Sequence, residues 1–499
     1  MAVDDSAQES ENADKISISI WDFGGQRVFY TVHHLFLTPS SIYILVFNMA
    51  DFVAKDQIIQ KKCIDRLRLW FNSVSMHAPL APLFIVGTHK DKIGNPEQHV
   101  SISDRLEKEF SPIPSFNHVI HCDSSLLFFP VNNMNSGDDV LKKLRASISL
   151  TVRQSAHIKK EVPFKWICLL DALRHFSAKH ETIKFIHAVK LAKECDFPSV
   201  PSLSVKDEVA SALTYFHELG YLVFFNEPYL RDLIILEPQW LIKNITAIIR
   251  KHDGLHPQDV DKVLMSKYPT PWKFFTEKGI LSSKLFSTLW PGLNDAVLKF
   301  LKFLMIKFGL LVQESTDCYL VPSLLPQIPT VPKLISPRTT LVVFDVNEDE
   351  MNAHRLSETA LTLADLRSRS FLPNGLFERL VGALISWCNR EFGRRDRNIA
   401  YANTWLHGIV GGVEFVLENN VMSGFISIGT TGDTASPVLE VVKYLLDKIR
   451  QPLFKGLSWE YFLQPVSCTP EGTALSLTAV RCALVEKRES HMTSLISLL

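Results

Sequence analysis

The first glycine of this chain is Gly24, and it follows a run of alternating isoleucine and serine at 16–20. Such alternation predicts a β-strand, which here leads into Trp21-Asp22-Phe23-Gly24-Gly25-Gln26. A phosphate loop of the form G-x-x-x-x-G-K-[ST] needs glycines ahead of such a strand, and none is present there. The chain is therefore predicted to carry the motif at 21–26, which follows the strand, but not the phosphate loop that would precede the strand.

The motif after this strand indicates nucleotide chemistry. In the Asp-x-x-Gly-Gln pattern of GTPases, the Asp holds Mg²⁺ indirectly, the glycine senses the γ-phosphate and the Gln positions a water molecule. These roles would fall to Asp22, Gly25 and Gln26. Asp-Phe-Gly alone is also the magnesium motif of protein kinases, but the accompanying Val-Ala-x-Lys, His-Arg-Asp and Ala-Pro-Glu sequences are absent. Gly24-Gly25 could also be a simple turn at a strand end.

Composition excludes several classes of protein. A length of 499 residues, 46% of them hydrophobic and 21% charged, is typical of about three globular domains. Lysine plus arginine and aspartate plus glutamate each number 53, which disfavours a nucleic-acid partner. Eight cysteines without a C-x-x-C pair indicate a reducing cytoplasm and no zinc site. No stretch predicts a transmembrane segment or a secretory signal.

The next segments predict a parallel α/β unit. An apolar run at 42–48 predicts a buried strand, apolar residues at helical spacing predict a helix at 55–74, and 83–87 predicts a second buried strand. A last strand is predicted at 128–131, with a helix at 139–149 behind it. Ligands of such sheets bind beyond the carboxyl ends of the strands.

A candidate base-recognition motif follows the second buried strand. Thr88-His89-Lys90-Asp91 stands where GTPases carry Asn-Lys-x-Asp, whose Asp accepts two hydrogen bonds from the guanine edge. Thr88, Lys90 and Asp91, together with Asn132 after the last strand, are therefore predicted to surround a guanine base.

Together these residues resemble the Roc domains of Roco proteins. The resemblance rests on the motif at 21–26, His34-Leu35-Phe36-Leu37-Thr38, Trp70 in the helix and the segment 86–91. The Thr-His form of the base motif is similar to the form in this family. The missing phosphate loop departs from the family pattern. The resemblance implies a partial Ras-like domain at 15–157 that uses GTP or GDP with Mg²⁺. The polar residues 1–14 are predicted to be a disordered leader.

Residues 158–330 are predicted to form two winged-helix-like units. Helices predicted at 163–178, 182–195 and 205–219 precede a hairpin of 221–225 and 233–236. A helix at 294–308 with strands at 310–312 and 318–321 repeats that pattern, and another helix begins at Pro238 between the two units. Nineteen basic and 18 acidic residues at 161–330 disfavour DNA binding. This stretch resembles COR-A of the same family.

Residues 338–466, after a proline-rich boundary, are predicted to form an α/β unit. The predicted strands are 340–344, 400–407, 411–417, 424–429 and 459–463. One predicted helix ends near 391, and a second spans 437–449. The unit resembles COR-B, which implies a homodimer. Arg394-Arg395-Asp396-Arg397 favours a solvated loop over an arginine finger. Residues 467–499 carry no motif and are a tail of unknown role.

The predicted fold class is thus α/β multidomain: a partial Ras-like parallel α/β domain, then an α+β COR domain. The predicted function is that of a Roc–COR module of a cytoplasmic signalling protein with an incomplete nucleotide site and negligible GTP hydrolysis, because charge-assisted phosphate contacts are missing. One alternative is a nucleotide-independent scaffold that pairs chains or docks protein effectors. Another is a fragment of a full Roco GTPase, which could carry a kinase elsewhere.

Overall fold

A computed structural model describes most of the chain between residues 18 and 476. The predicted leader at 1–14, the motif residues Phe23 to Gln26 and the arginine cluster at 394–397 lie outside the described residues. The described ranges are 18–22, 33–155, 160–199, 202–250, 259–328, 330–334, 338–346, 360–362, 366, 370–373, 375–392, 399–410, 412–420, 424–431, 436–453, 457–464 and 473–476.

The first part, 33–155, is a parallel sheet with helices on its faces, as the alternation of strands and helices predicts. The strand order is β1-β2-β3, and β4 also pairs with β2. Helices α2 and α3 pack on one face of the sheet and α4 on the other. The elements are β1 Tyr43–Asn48, α1 Met49–Phe52, α2 Gln57–His77, β2 Leu83–Thr88, α3 Pro96–Phe110, β3 Val119–Ile120, β4 Phe129–Pro130 and α4 Asp139–Gln154.

Strand β2 is the centre of this sheet. It pairs in parallel with β1 on one edge and with both β3 and β4 on the other. Residues 83–87 are all buried. A Cβ added to Gly87 would lie 2.7 Å from Cγ of Met49 and 2.8 Å from Cε2 of Phe128, so the close packing of these side chains requires glycine. The strand predicted at 83–87 is confirmed.

Strand β1 was predicted to be buried, and that prediction is wrong for one face. Ile44 is 45% exposed and Val46 62% exposed, so this face of β1 is only partly covered. The strand predicted at 16–20 is also absent from the part of that range that the structure describes. Residues 18–22 form no strand, and Ile20 is 89% exposed. Within the described chain, β1 pairs with β2 alone, so residues 18–22 do not add a strand to its outer edge.

The middle part, 160–334, repeats one order of elements. A helix, a short strand, two helices and two strand segments occur first at 164–235 and again at 269–320. The elements are α5 Phe164–Ser177, β5 Thr182–Lys184, α6 Phe185–Glu194, α7 Val205–Glu218, β6 Leu233–Ile235, α8 Pro238–Ile249, α9 Asp259–Lys267, α10 Pro269–Lys278, β7 Ile280–Ser282, α11 Ser283–Thr288, α12 Asp295–Lys307, β8 Val312–Gln313 and β9 Cys318–Leu320.

Two predictions for the first unit need correction. Thr182 to Lys184 were expected in a helix, but they pair antiparallel with β6 as β5. Ladder hydrogen bonds from a distant segment override the local helical spacing here. The hairpin strand predicted at 221–225 is reduced to a single bridge between Val223 and Ile235. The winged-helix classification of both units stays a prediction.

Among its described residues, the last part, 338–476, contains an eight-stranded sheet and two long helices. Its strand order is β11-β17-β16-β10-β15-β14-β13-β12. The strand predicted at 400–407 divides into two, and the tail contributes β17, which the sequence did not indicate. The elements are β10 Arg338–Val346, β11 Ala360–Thr362, α13 Leu376–Phe392, β12 Ala400–Tyr401, β13 Trp405–Val410, β14 Val413–Asn420, β15 Phe425–Thr430, α14 Ser436–Leu453, β16 Leu457–Gln464 and β17 Thr473–Ser476.

One large apolar core joins the three parts. Leu35 and Met76 of the first part belong to the same buried cluster as residues of the middle and last parts. Beside this junction, burial and then the charges of His33 and Arg379 lower the pKa of His77 to about 3. Of the helices in the described chain, none has the length and apolarity that a bilayer crossing needs.

Candidate functional site

The loop after β2 is held by contacts from two neighbouring strands. Thr88 at the end of β2 donates its hydroxyl to the carbonyl oxygen of Phe47 at 3.1 Å. His89 has a φ of 62°, which turns the chain sharply out of the sheet. The amide of Lys90 then donates to the carbonyl of Val131 at 3.3 Å. These contacts place Lys90 and Asp91 beyond the carboxyl end of the sheet, where ligands of such folds bind.

A cavity of about 380 Å³, the base cavity, opens at this point. Three of the predicted base residues, Lys90, Asp91 and Asn132, line it together. Thr88 does not line it, because its side chain points back to β1. Asp22 is described but is exposed and does not line it either. The complete lining is Lys90, Asp91, Gly94, Asn132, Asn135, Gly137, Asp138 and Asp139.

Asp138 organises the floor of the base cavity, and the sequence analysis did not single it out. Its buried carboxylate caps α4 by accepting from the amide of Val140 at 2.8 Å, and it accepts from the amide of Asn132 at 2.9 Å. Lys90 Nζ donates to the same carboxylate at 3.2 Å. Burial raises the pKa of Asp138, but these hydrogen bonds outweigh burial and hold the pKa below its usual value. An Asp immediately before a predicted helix is a capping signal that could have identified it.

Asp91 differs from Asp138 because its carboxylate is available to a ligand. It is exposed, and within the described residues it makes no hydrogen bond or ion pair. Asn132 uses its side-chain oxygen to accept from the amide of Met134 at 3.0 Å, and Asn135 accepts similarly from Gly137. Asp139 also lines the cavity, but its carboxylate is paired with Lys142 at 3.0 Å. The cavity therefore offers the Asp91 carboxylate as an acceptor on a loop that its neighbours hold in place.

The described residues do not build a metal site. Among them, no three histidine, cysteine, aspartate or glutamate side chains lie close enough together to hold an ion. Asp22 supplies one exposed carboxylate, and Gly25 and Gln26 lie outside the described residues. Mg²⁺ binds through a single carboxylate only when substrate phosphates complete its coordination shell. Without phosphates, Asp22 alone is not a Mg²⁺ site.

Two family models match the chain. Residues 2–91 match "Ras of Complex, Roc, domain of DAPkinase" and residues 163–325 match "C-terminal of Roc, COR-A domain". The chain carries a Roc–COR module of the Roco family. Its Roc part is therefore related to the Ras-like GTPases, and the matched range includes the motif at 21–26 together with Lys90 and Asp91.

Two curated relatives of this Roc–COR module are much longer proteins. "Probable serine/threonine-protein kinase pats1" of Dictyostelium discoideum is 24% identical over 446 residues, covering 87% of this chain and 12% of that protein. "Leucine-rich repeat serine/threonine-protein kinase 1" of Caenorhabditis elegans is 22% identical over 337 residues, covering 63% of this chain and 13% of that protein.

A solved structure of the same kind of module is also similar. It is Methanosarcina barkeri Roco2 RocCORdC bound to GDP. It aligns with a TM-score of 0.42 at 20% identity, covering 61% of this chain and 79% of that chain.

Proposed function

We propose that the Roc part recognises the guanine base of a nucleotide through Asp91 in the base cavity, and that residues 1–499 alone hydrolyse GTP negligibly. The observation that carries the first statement is the free Asp91 carboxylate beside Lys90 and Asn132. The match to the Roc model over 2–91 supports the choice of a guanine nucleotide.

The chemistry of Asp91 fits guanine. The Watson–Crick edge of guanine carries two neighbouring N–H donors, at N1 and at the exocyclic amine, and a carboxylate has two oxygens that can accept them. Such charge-assisted hydrogen bonds are short and strong, so they discriminate against adenine, which has only one donor group on that edge. The Lys90–Asp138 pair fixes the neighbouring loop, because it ties β2 to the start of α4.

Weak hydrolysis is expected from the phosphate end of the site. A triphosphate is held by several main-chain amides of a glycine-rich loop and by a lysine, and residues 1–499 contain no glycine before Gly24. In this proposal Asp22 and Gly25 would approach Mg²⁺ and the γ-phosphate, and Gln26 would position water, but binding stays too weak for turnover.

Ligand-observed NMR with millimolar GDP tests base recognition without requiring tight binding. We expect saturation transfer to the guanine H8 proton of GDP with the wild-type chain. Asp91→Asn should abolish this signal. The same variant should instead give a signal with xanthosine diphosphate (XDP), because the amide of Asn can donate to the extra carbonyl of xanthine. Asp104→Asn, on the exposed side of α3, is the matched control and should change nothing. Equal signals from GDP and ADP, or no effect of Asp91→Asn, would reject the proposal.

The alternative function is a scaffold that pairs two copies through residues 338–466. Leu35 and Met76 of the first part pack into the core of the other two parts, so a pairing surface on the last part would be joined to the Roc part. Exposed Ile409 and Tyr444 on the last part, 42% and 49% accessible, give it apolar surface. Protein effectors and a cytoplasmic location belong to the same proposal, and the location is supported by the six cysteines of the described residues that are thiols. Light scattering at micromolar concentration should give twice the mass of one chain, and a monomer at every concentration would reject the pairing.

A further inference from the structure

A second cavity, of about 390 Å³, lies where COR-A and COR-B meet, far along the chain from the base cavity. We call it the seam cavity. The end of α12 and the strand β8 line one side, and α13 and α14 line the other. Four basic side chains line it and no acidic one does: Lys307, Arg379, Arg390 and Lys448.

Arg379 is built into the wall of this cavity. It is 4% exposed, and its Nε donates to the carbonyl of Phe308 at 3.0 Å. Gly309, with a φ of 64°, makes room for it, because a Cβ at this glycine would lie 2.6 Å from Cδ of Arg379. Burial lowers the pKa of Arg379 to about 10, so the guanidinium stays charged at neutral pH.

The spacing along α13 aims a row of side chains into the same cavity. Arg379, Ala383, Ser386 and Arg390 are separated by four, three and four positions, which places them on one face of a helix. The cavity therefore runs along α13 with a buried arginine at one end and an exposed arginine at the other. Lys448 faces it from α14.

The positive charge of the seam cavity is only partly neutralised. Lys307 is paired with Glu227 and lies over the Phe225 ring. Glu378 is next to Arg379 in the chain but does not line the cavity, and burial raises the pKa of its carboxyl group.

Arg390 and Lys448 form no ion pair within the described part of the chain. Bringing like charges together around a concave surface is unfavourable, and a bound anion offsets that cost. The remainder of the lining is largely apolar, from Ile306, Leu311, Val312, Leu445 and Ile449.

We propose that the seam cavity binds a small organic phosphate: a phosphate group held by Arg390 and Lys448 at the exposed end, on an apolar body that extends along the aliphatic wall towards Arg379. Arginine matches phosphate oxygens with two parallel N–H donors, and a dianion suits several cations better than a single carboxylate does. The volume is in the usual range for small-molecule sites. The ligand would contact both COR-A and COR-B, since each supplies part of the lining.

Isothermal titration with short-chain lipids tests the proposal. Soluble dihexanoyl phosphatidate supplies both a phosphate monoester and an apolar body, dihexanoyl phosphatidylcholine removes the net charge, and inorganic phosphate removes the apolar body. We expect one phosphatidate per chain, bound at least about tenfold more tightly than either control. Failure of phosphatidate to bind at millimolar concentration, or equal binding of inorganic phosphate, would overturn the proposal.

A pair of double variants locates the binding. Arg390→Gln with Lys448→Gln should weaken phosphatidate binding by about tenfold or more, since each loses a charge-assisted contact. Lys299→Gln with Lys443→Gln removes two exposed charges from α12 and α14 outside the cavity and should have no effect. Equal weakening by both pairs would show general surface electrostatics and overturn the site. Unchanged thermal unfolding of each variant shows that folding is intact.

A vesicle experiment distinguishes the two sources of such a ligand. If long-chain phosphatidate vesicles sediment the chain and the Arg390→Gln, Lys448→Gln variant is lost from the pellet, the ligand is drawn from a bilayer. If soluble phosphatidate binds and vesicles do not sediment the chain, the site takes a free organic phosphate.

Discussion

Strands β1 and β2 are neighbours in one sheet, but they are covered very differently. Val46 and Val86 are directly paired in register, yet Val46 is 62% exposed and Val86 is 5% exposed. Leu144 of α4 belongs to the cluster that covers Val86, and β3 and β4 complete the other edge of β2. The outer edge of β1 has no partner strand within the described residues.

This difference teaches that the two ends of the nucleotide site depend on different strands. The base cavity needs β2, β4 and the start of α4, all of which lie within 83–154 and pack together. Residues 18–22, which lead into the motif at 21–26, form no strand, and Trp21 stacks on Phe36 with ring centroids 5.1 Å apart. Base recognition can therefore form while the phosphate end stays incomplete.

The largest effect is expected at the floor of the base cavity. Asp138→Ala removes the acceptor for two backbone amides and for Lys90, and leaving buried donors unpaired should lower the free energy of unfolding by about 3 kcal/mol. Asp139→Ala is the matched control, because the Asp139 side chain is 93% exposed, and should cost less than about 0.5 kcal/mol. Urea unfolding measures both. Equal losses would show that Asp138 does not organise this end of the sheet.

The pH dependence of that loss gives a further check. The pKa of Asp138 is lowered by folding, so its contribution is present above the ordinary carboxyl pKa and is lost as pH falls through the lower folded value. The unfolding free energies of the wild type and Asp138→Ala should therefore approach each other in acid. A constant difference down to the lowest usable pH would contradict the assignment.

The two paired valines test the comparison itself. Val86→Ala should lower the free energy of unfolding by about 2 kcal/mol, because two methyl groups leave a closed core. Val46→Ala, the same change on the adjacent strand, should cost less than about 0.5 kcal/mol. The measurement is again urea unfolding. A large loss at Val46 would mean that the outer face of β1 is covered in solution.

The smallest effect concerns Gln26, the residue proposed to position water. Gln26→Leu should change phosphate release from GTP by less than about twofold, because a water-positioning residue matters only where the triphosphate is held. Single-turnover phosphate release measures this for residues 1–499. A drop of tenfold or more would show that Gln26 works in a formed site.

Much of the fold could be predicted because its strongest elements are local patterns. The apolar run of β2, the helical spacing of α2 and the proline at the start of α8 were all read correctly. Helix α3 was missed because its buried face includes His99 and Ser103, which weaken the apolar periodicity. Strand β5 was missed because it exists through pairing with β6, about 50 residues away, and β17 was missed because four residues without a motif form a strand only by pairing with β16 and the distant β11.

The candidate site was only partly predictable for the same reason. Lys90 and Asp91 follow a clear strand, and Asn132 follows another, so their meeting at one sheet edge could be expected. The capping role of Asp138 could be expected from its place before α4, but its contacts with Lys90 and Asn132, 48 and six residues away, could not. The exposed face of β1 could not be predicted for the same reason, because the burial of a strand depends on which distant segments pack against it.

Titration with a fluorescent GTP analogue tests the central claim most directly. If the base end is formed and the phosphate end is not, residues 1–499 should show no saturation below about 100 μM nucleotide, and Mg²⁺ should not change the result. Submicromolar, magnesium-dependent binding would contradict the account, because it would require a complete cradle for the phosphates.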